Sequence, residues 1–75
     1  MVERFLRYSL ERQRKICVVI MEDGQMKKIN LLVTKVDEGG AEFSARRPGR
    51  KKEERFVLGD ILTAAYARGD QGELE

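Results

Sequence analysis

The sequence predicts a mainly β fold in which an N-terminal α-helix covers a small barrel of five short strands. Three observations support this prediction: helical spacing of apolar residues at the N-terminus, β-branched runs separated by Gly-containing turns after it, and a length that suits one domain. We expect this domain to span residues 1–68 of the 75, and the acidic stretch 69–75 to be a disordered tail.

Residues 1–14 are predicted to form an amphipathic helix. The side chains that recur at intervals of three and four residues are Val2, Phe5, Leu6, Ser9, Leu10 and Gln13. Charged residues occupy the other side. Arg12, Arg14 and Lys15 gather near the C-terminal end, where cations interact favourably with the helix dipole. The helix therefore has one face that needs a sheet to pack against.

Residues 15–22 predict the first strand, and Asp23-Gly24 predicts a two-residue hairpin turn because this dipeptide tolerates positive φ. The strand is apolar on both faces, so both faces need cover. One face would contact the barrel interior, and the other either the helix or a second copy of the chain. The partner strand, residues 25–37, loses its alternation between Ile29 and Leu32, which indicates a bulge or bend.

The third predicted strand, residues 41–47, alternates apolar and polar side chains. Ala41, Phe43 and Ala45 would face the core, and Ser44 would face outward with its charged neighbours. The sequence therefore indicates a half-buried strand.

A polar loop at residues 47–52 separates the third strand from a short fourth strand at 55–58. After a turn at residues 58–60, the apolar segment 61–67 suits either a helix or a strand. We predict a strand, because the four preceding strands leave an open edge that a fifth would cover. A helix followed by five short, tightly connected strands is the plan of a small SH3-like or Sm-like barrel.

The composition argues against several classes of function. The chain has no His and a single Cys, so it lacks the commonest general base, an internal disulfide and a zinc-finger ligand set. Cys17 lies in an apolar strand, where its thiol would be unreactive. A run of about 18 apolar residues, which a transmembrane helix needs, is absent from the sequence. We therefore expect a soluble, cytoplasmic, non-catalytic protein with no metal, cofactor or membrane contact.

Positive charge is concentrated in two regions, although the net charge is only +2. Residues 1–15 contain five basic and two acidic side chains, and residues 46–55 contain six and two. A basic cluster is the electrostatic footprint of a phosphate-bearing partner. The candidate nucleic-acid-binding residues are Arg46, Arg47, Arg50, Lys51, Lys52 and Arg55. The competing interpretation is a solvated hairpin whose charge only keeps the protein soluble.

The chain also resembles the WYL-domain family. The segment Arg55-Phe56-Val57-Leu58-Gly59-Asp60-Ile61 is similar to the closing segment of these domains. Residues 12–19 resemble their opening, where a helix end runs into a strand, and residues 39–44 occupy the place of their name-giving strand. The resemblance covers about residues 10–67. It implies an Sm-like barrel and a role as a ligand- or nucleic-acid-sensing module of bacterial regulators.

Two functions follow from these observations. The first is a non-catalytic regulatory or nucleic-acid-binding protein that contacts the phosphates of RNA or single-stranded DNA through the basic hairpin. The second is a protein–protein interaction module or self-assembling homo-oligomer with no nucleic-acid role. Phe43 and Tyr66 would stack on bases only if they were exposed. We expect both rings to be packed, and Tyr8 to lie at the helix margin.

Overall fold

The computed structural model describes residues 2–69, which form one α-helix packed against a five-stranded antiparallel sheet. The elements are α1 (Val2–Arg12), β1 (Ile16–Glu22), β2 (Gln25–Val36), β3 (Glu42–Arg46), β4 (Glu54–Val57), a 3₁₀ turn (Leu58–Asp60) and β5 (Ile61–Tyr66). The predicted mainly β class, with its N-terminal helix and five strands, is confirmed. Residues 70–75 of the predicted tail lie outside the described residues.

The strands are ordered β4-β3-β2-β1-β5, which makes β4 and β5 the two edge strands. Each neighbouring pair is antiparallel. Among residues 2–69 no ladder joins β4 to β5, so the closed barrel stays a prediction. The helix α1 packs mainly against β2 and β5.

The hairpin between β1 and β2 turns where the sequence predicts it. Glu22 and Gln25 are the last paired residues, and the two residues between them have φ of 54° at Asp23 and 76° at Gly24. Two consecutive positive φ angles match the primed turn that Asp-Gly favours.

The bulge predicted between Ile29 and Leu32 is placed differently in the structure. The pairing of β2 with β3 passes from Val33–Ala45 to Lys35–Ser44, so Thr34 is the extra residue. The misplaced prediction has a physical cause. The break in alternation at residues 29–32 arises because Leu31 is buried whereas Leu32 points to the outer face, where it is only half-buried.

The hydrophobic core lies between α1 and the inner face of the sheet. Its buried residues are Leu6, Ile16, Val18, Ile20, Leu31, Val33, Phe43, Ala45 and Ile61. Burying each large aliphatic or aromatic side chain stabilises the fold by about 1.5–3 kcal/mol relative to leaving it exposed. On the outer face of β1, Cys17 and Val19 are half-buried and Met21 is exposed. Residues 2–69 therefore cover the first strand fully on one face only.

The inward and outward assignments in β3 are partly wrong. Phe43 and Ala45 are buried as predicted, but Ala41 is exposed because it lies in the turn before the strand begins. Ser44, predicted to face solvent, is buried. It sits in register between Lys35 on one neighbouring strand and Arg55 on the other, and these long side chains cover it.

The helix ends at Arg12, two residues earlier than predicted. Gln13 has a left-handed φ of 55°, and the Arg14 amide donates to the Ser9 carbonyl at 3.3 Å, which is the Schellman type of helix ending. The buried Ser9 hydroxyl donates to the Arg14 carbonyl at 2.6 Å and accepts from the Val33 amide at 2.9 Å. Ser9 thus ties the end of α1 to β2.

Candidate functional site

A basic groove of about 510 Å³ opens between the end of α1 and the loop that follows β3. Its lining residues are Gln13, Arg14, Lys15, Leu32, Arg46, Arg47, Pro48, Gly49, Arg50 and Ala67. Half of these residues are Arg or Lys, and none is acidic. The basic groove therefore joins the two positively charged regions of the sequence into one surface.

The strand register explains why distant segments meet in the groove. Ile16 pairs with Tyr66 on β5 and with Leu31 on β2. Because these pairs are antiparallel, the residue before Ile16 and the residues after Tyr66 and Leu31 meet at one end of the sheet; they are Lys15, Ala67 and Leu32. Leu32 in turn pairs with Arg46 on β3. The groove is therefore built on a row of neighbouring strands, which fixes the backbone positions of Lys15 and Arg46.

Arg46 places a buried side-chain N–H beside the groove. Its Nε is buried and has no hydrogen-bond partner among residues 2–69, and it forms no ion pair with them. Buried N–H groups are nearly always paired, and an unpaired one costs about 1–3 kcal/mol. A guanidinium donates its strongest hydrogen bonds to an anion, so Arg46 is a favourable contact for a phosphate oxygen.

Arg47 also lines the groove, but its charge is already paired. Its Nη2 donates to Glu22 Oε2 at 2.7 Å, and its Nε lies 2.9 Å from Glu54 Oε2, although that N–H is not aligned for a hydrogen bond. The guanidinium also lies 5.9 Å from the centre of the Phe56 ring. We call this arrangement of Arg47, Glu22, Glu54 and Phe56 the Arg47 clamp.

The Arg47 clamp shows how strongly the sheet curls. Glu22 pairs with Gln25, whereas Arg46 pairs with Leu32, further along the same strand. In a flat sheet this offset alone would separate Arg47 from Glu22 by about 20 Å. One arginine side chain bridges them, so the sheet is curled between β1 and β3.

Of the six residues predicted from the sequence, Arg46, Arg47 and Arg50 line the groove. Arg50 is 67% exposed and its nearest carboxylate oxygen, on Glu54, is 4.0 Å away. Lys51 and Lys52 are exposed in the adjoining loop and form no ion pair among the described residues. Nucleic-acid contacts by these residues stay a prediction.

Arg55 lies apart from the groove. It is in β4, and its Nη2 donates to Asp37 Oδ2 and Glu42 Oε1 at 2.5 and 2.6 Å. Two carboxylates therefore offset its charge, which leaves it less available to a phosphate than Arg46 or Arg50.

The sequence-based site did not include Gln13, Arg14 or Lys15. The signal was present, because the first 15 residues carry a local excess of positive charge. What the sequence did not provide was the strand order that brings the helix end beside Arg46.

The ion pairs shift the pKa values of their members. The hydrogen bond from Arg47 lowers the pKa of Glu22 below its ordinary value of 4.5, and the pair raises the pKa of Arg47. The hydrogen bond from Arg55 lowers the pKa of Asp37 below its ordinary value of 3.8. A carboxyl whose pKa is lower in the folded state stabilises the fold above its ordinary pKa and stops doing so as the pH falls through the folded value.

We therefore expect the melting temperature to fall as the pH drops below about 5 and then through the lowered pKa values of Glu22 and Asp37, because protonation removes their ion pairs. Thermal melts followed by circular dichroism at several pH values measure this change. The double variant E22Q/D37N should be less stable at neutral pH and show a smaller loss on acidification. An unchanged pH dependence in the variant would show that other carboxyls dominate.

The aromatic rings lie outside the groove lining. Phe43 is fully buried and stacks on Phe56 with ring centres 5.4 Å apart. Tyr66 packs edge-on against Phe5 at 4.8 Å and Tyr8 at 4.9 Å, where α1 meets β5. The packing predicted for these rings is confirmed, and the groove offers charge and aliphatic surface rather than an aromatic stacking platform.

Within residues 2–69 there is no cluster of three or more His, Cys, Asp or Glu side chains suited to holding a metal ion. In the same part of the chain, α1 is too short and too polar to cross a bilayer.

No protein-family model matches the sequence, and no curated protein or solved structure gives a significant match. The resemblance to WYL domains and to Sm-like barrels therefore stays a prediction.

Proposed function

We propose that this protein binds nucleic acid without catalysis, through contacts between the basic groove and the sugar–phosphate backbone. The observation that carries the proposal is the lining of one groove, which contains five cations and no carboxylate. Arg47 is already paired with Glu22, but the Nε of Arg46 is buried and has no partner among the described residues. Phosphate oxygens are the ligands that satisfy such a set of donors.

A polyanion fits this surface better than a single small anion. Lys51 and Lys52 extend the positive surface along the loop beyond the groove, so successive phosphates of one strand can each meet a cation. The lining contains the aliphatic residues Leu32, Pro48 and Ala67 but no aromatic ring. Binding would therefore be directed at the backbone and tolerant of sequence.

RNA or single-stranded DNA is the preferred ligand class. A flexible single strand can enter a concave groove one nucleotide at a time. Its unstacked bases can also lie on the planes of arginine guanidinium groups such as that of Arg50. A duplex presents its phosphates on a rigid convex ridge, which suits a flat or protruding basic surface.

Fluorescence anisotropy with labelled 12-nucleotide single strands of DNA and RNA tests the proposal. We expect a Kd of about micromolar order at about 50 mM salt. The plot of log affinity against log salt should have a slope of about −2, since each of three neutralised phosphates contributes about −0.7. Affinity should then fall about 20-fold between about 50 and 200 mM salt.

Sedimentation of the same samples addresses the alternative, a self-assembling module. That alternative has one structural observation in its favour, the exposed side chains of Met21, Met26 and Leu62, which lie on β1, β2 and β5. An 8.6 kDa monomer that binds the oligonucleotide supports the proposal. A stable oligomer that binds neither strand at micromolar concentration contradicts it.

A further inference from the structure

Glu22 lies outside the basic groove, but it holds a residue on which the groove depends. It is the last residue of β1, and its carboxylate accepts from Arg47 at 2.7 Å and lies 3.5 Å from Lys27 Nζ. Glu22 itself is not part of the groove lining. Glu22 can therefore affect a ligand in the groove in two ways: by holding Arg47 in place, or by the electrostatic field of its carboxylate.

Arg47 is also the first residue of a tight turn that forms one wall of the groove. The Arg50 amide donates to the Arg47 carbonyl at 3.1 Å, and Gly49 has a φ of 79°. Pro48 and Gly49 therefore stand at the positions that Pro and Gly favour in a type II turn. Holding Arg47 in place thus sets where this turn presents Arg50.

We propose that Glu22 is a positioning residue of the basic groove, so that removing its negative charge weakens nucleic-acid binding although it makes the protein more positive. This inference rests on the proposed function. Two effects oppose each other. Loss of a nearby carboxylate strengthens the attraction for phosphate. Loss of the Arg47 clamp frees the turn that begins at Arg47, so that binding must order this turn at a cost in affinity.

The clamp geometry favours the second effect. The Arg47 side chain is 18% exposed and is held from two strands, by Glu22 on β1 and Glu54 on β4. Without Glu22, the contact that spans the curled sheet is gone, and the local contacts with Glu54 and Phe56 remain. Reordering the side chains of Arg47 and Arg50 at each binding event would lower the affinity about three- to ten-fold.

The test compares E22Q with E38Q, which makes the same change in net charge. Glu38 is an exposed acid in the β2–β3 turn that forms no ion pair with residues 2–69. Affinity for the labelled 12-nucleotide single strand is measured from about 50 to 200 mM salt. We expect E22Q to bind about three- to ten-fold more weakly than the unmodified protein with the same salt slope, and E38Q to bind equally or slightly more tightly.

E22D serves as the second variant, because it keeps the charge and should keep part of the affinity if the carboxylate is what positions Arg47. Circular dichroism shows that each variant is folded at the temperature of the binding measurement. Binding of E22Q that equals or exceeds that of the unmodified protein overturns the inference and leaves the proposed function intact. Equal weakening in E38Q also overturns it. Failure of the unmodified protein to bind overturns the proposed function itself.

Discussion

Replacing Lys15, Arg46 and Arg50 together by glutamine should lower the affinity for a single strand about 500-fold at about 50 mM salt. These three cations line the groove, and among residues 2–69 the shortest distance from any of them to a carboxylate oxygen is 4.0 Å, from Arg50 to Glu54. Each phosphate they neutralise releases counterions, which at this salt concentration favours binding about eight-fold. The salt dependence should nearly disappear as well.

The matched control replaces Arg7, Lys28 and Lys35, three exposed cations outside the groove, so that the net charge changes equally. Affinity should fall less than about three-fold, because unpaired surface charges act on the ligand only through a screened field. R55Q is a second control, since Asp37 and Glu42 already offset that charge. Similar losses in the two triple variants would show that net charge, rather than the groove, attracts the ligand.

The fold was predictable to the level of single elements because its signals are local. The helical spacing of residues 1–14, the Asp23-Gly24 turn and the Gly-punctuated segments each depend on neighbouring residues only. The errors occur where local pattern and tertiary contact disagree. Ser44 is buried by side chains on two other strands, and the bulge at Thr34 is set by pairing with β3.

The candidate site was predictable only in part, because its electrostatics depend on residues far apart in the chain. A count of charges over residues 46–55 treats Arg47 and Arg55 as available. The structure pairs Arg47 with Glu22, 25 positions away, and Arg55 with Asp37, 18 positions away. It also brings Lys15 beside Arg46, a neighbour that no sequence window would include. Charge clusters read from sequence therefore indicate a region but not which of its members can bind.

Replacing Ser9 by alanine should lower the free energy of unfolding by about 1–3 kcal/mol, which is a large change for a single oxygen atom. The hydroxyl accepts a hydrogen bond from the Val33 amide and donates one to the Arg14 carbonyl at the helix end. Val33 lies beyond Leu31, which is the last β2 residue that pairs with β1. Alanine leaves both groups without this partner in a site that is fully buried. Helix propensity alone predicts the opposite sign, since Ala is the better helix former by about 0.5 kcal/mol.

Urea denaturation of S9A and S44A separates these contributions, because Ser44 is also buried but its hydroxyl makes no hydrogen bond with residues 2–69. We expect S44A to change stability by less than about 0.5 kcal/mol. Since Ser9 fixes the segment that contributes Arg14 and Lys15 to the groove, S9A should also weaken single-strand binding while the protein is still folded. A stability change in S9A no larger than that in S44A would show that the helix end and β2 are held together by apolar packing alone. The groove would then not depend on this hydroxyl.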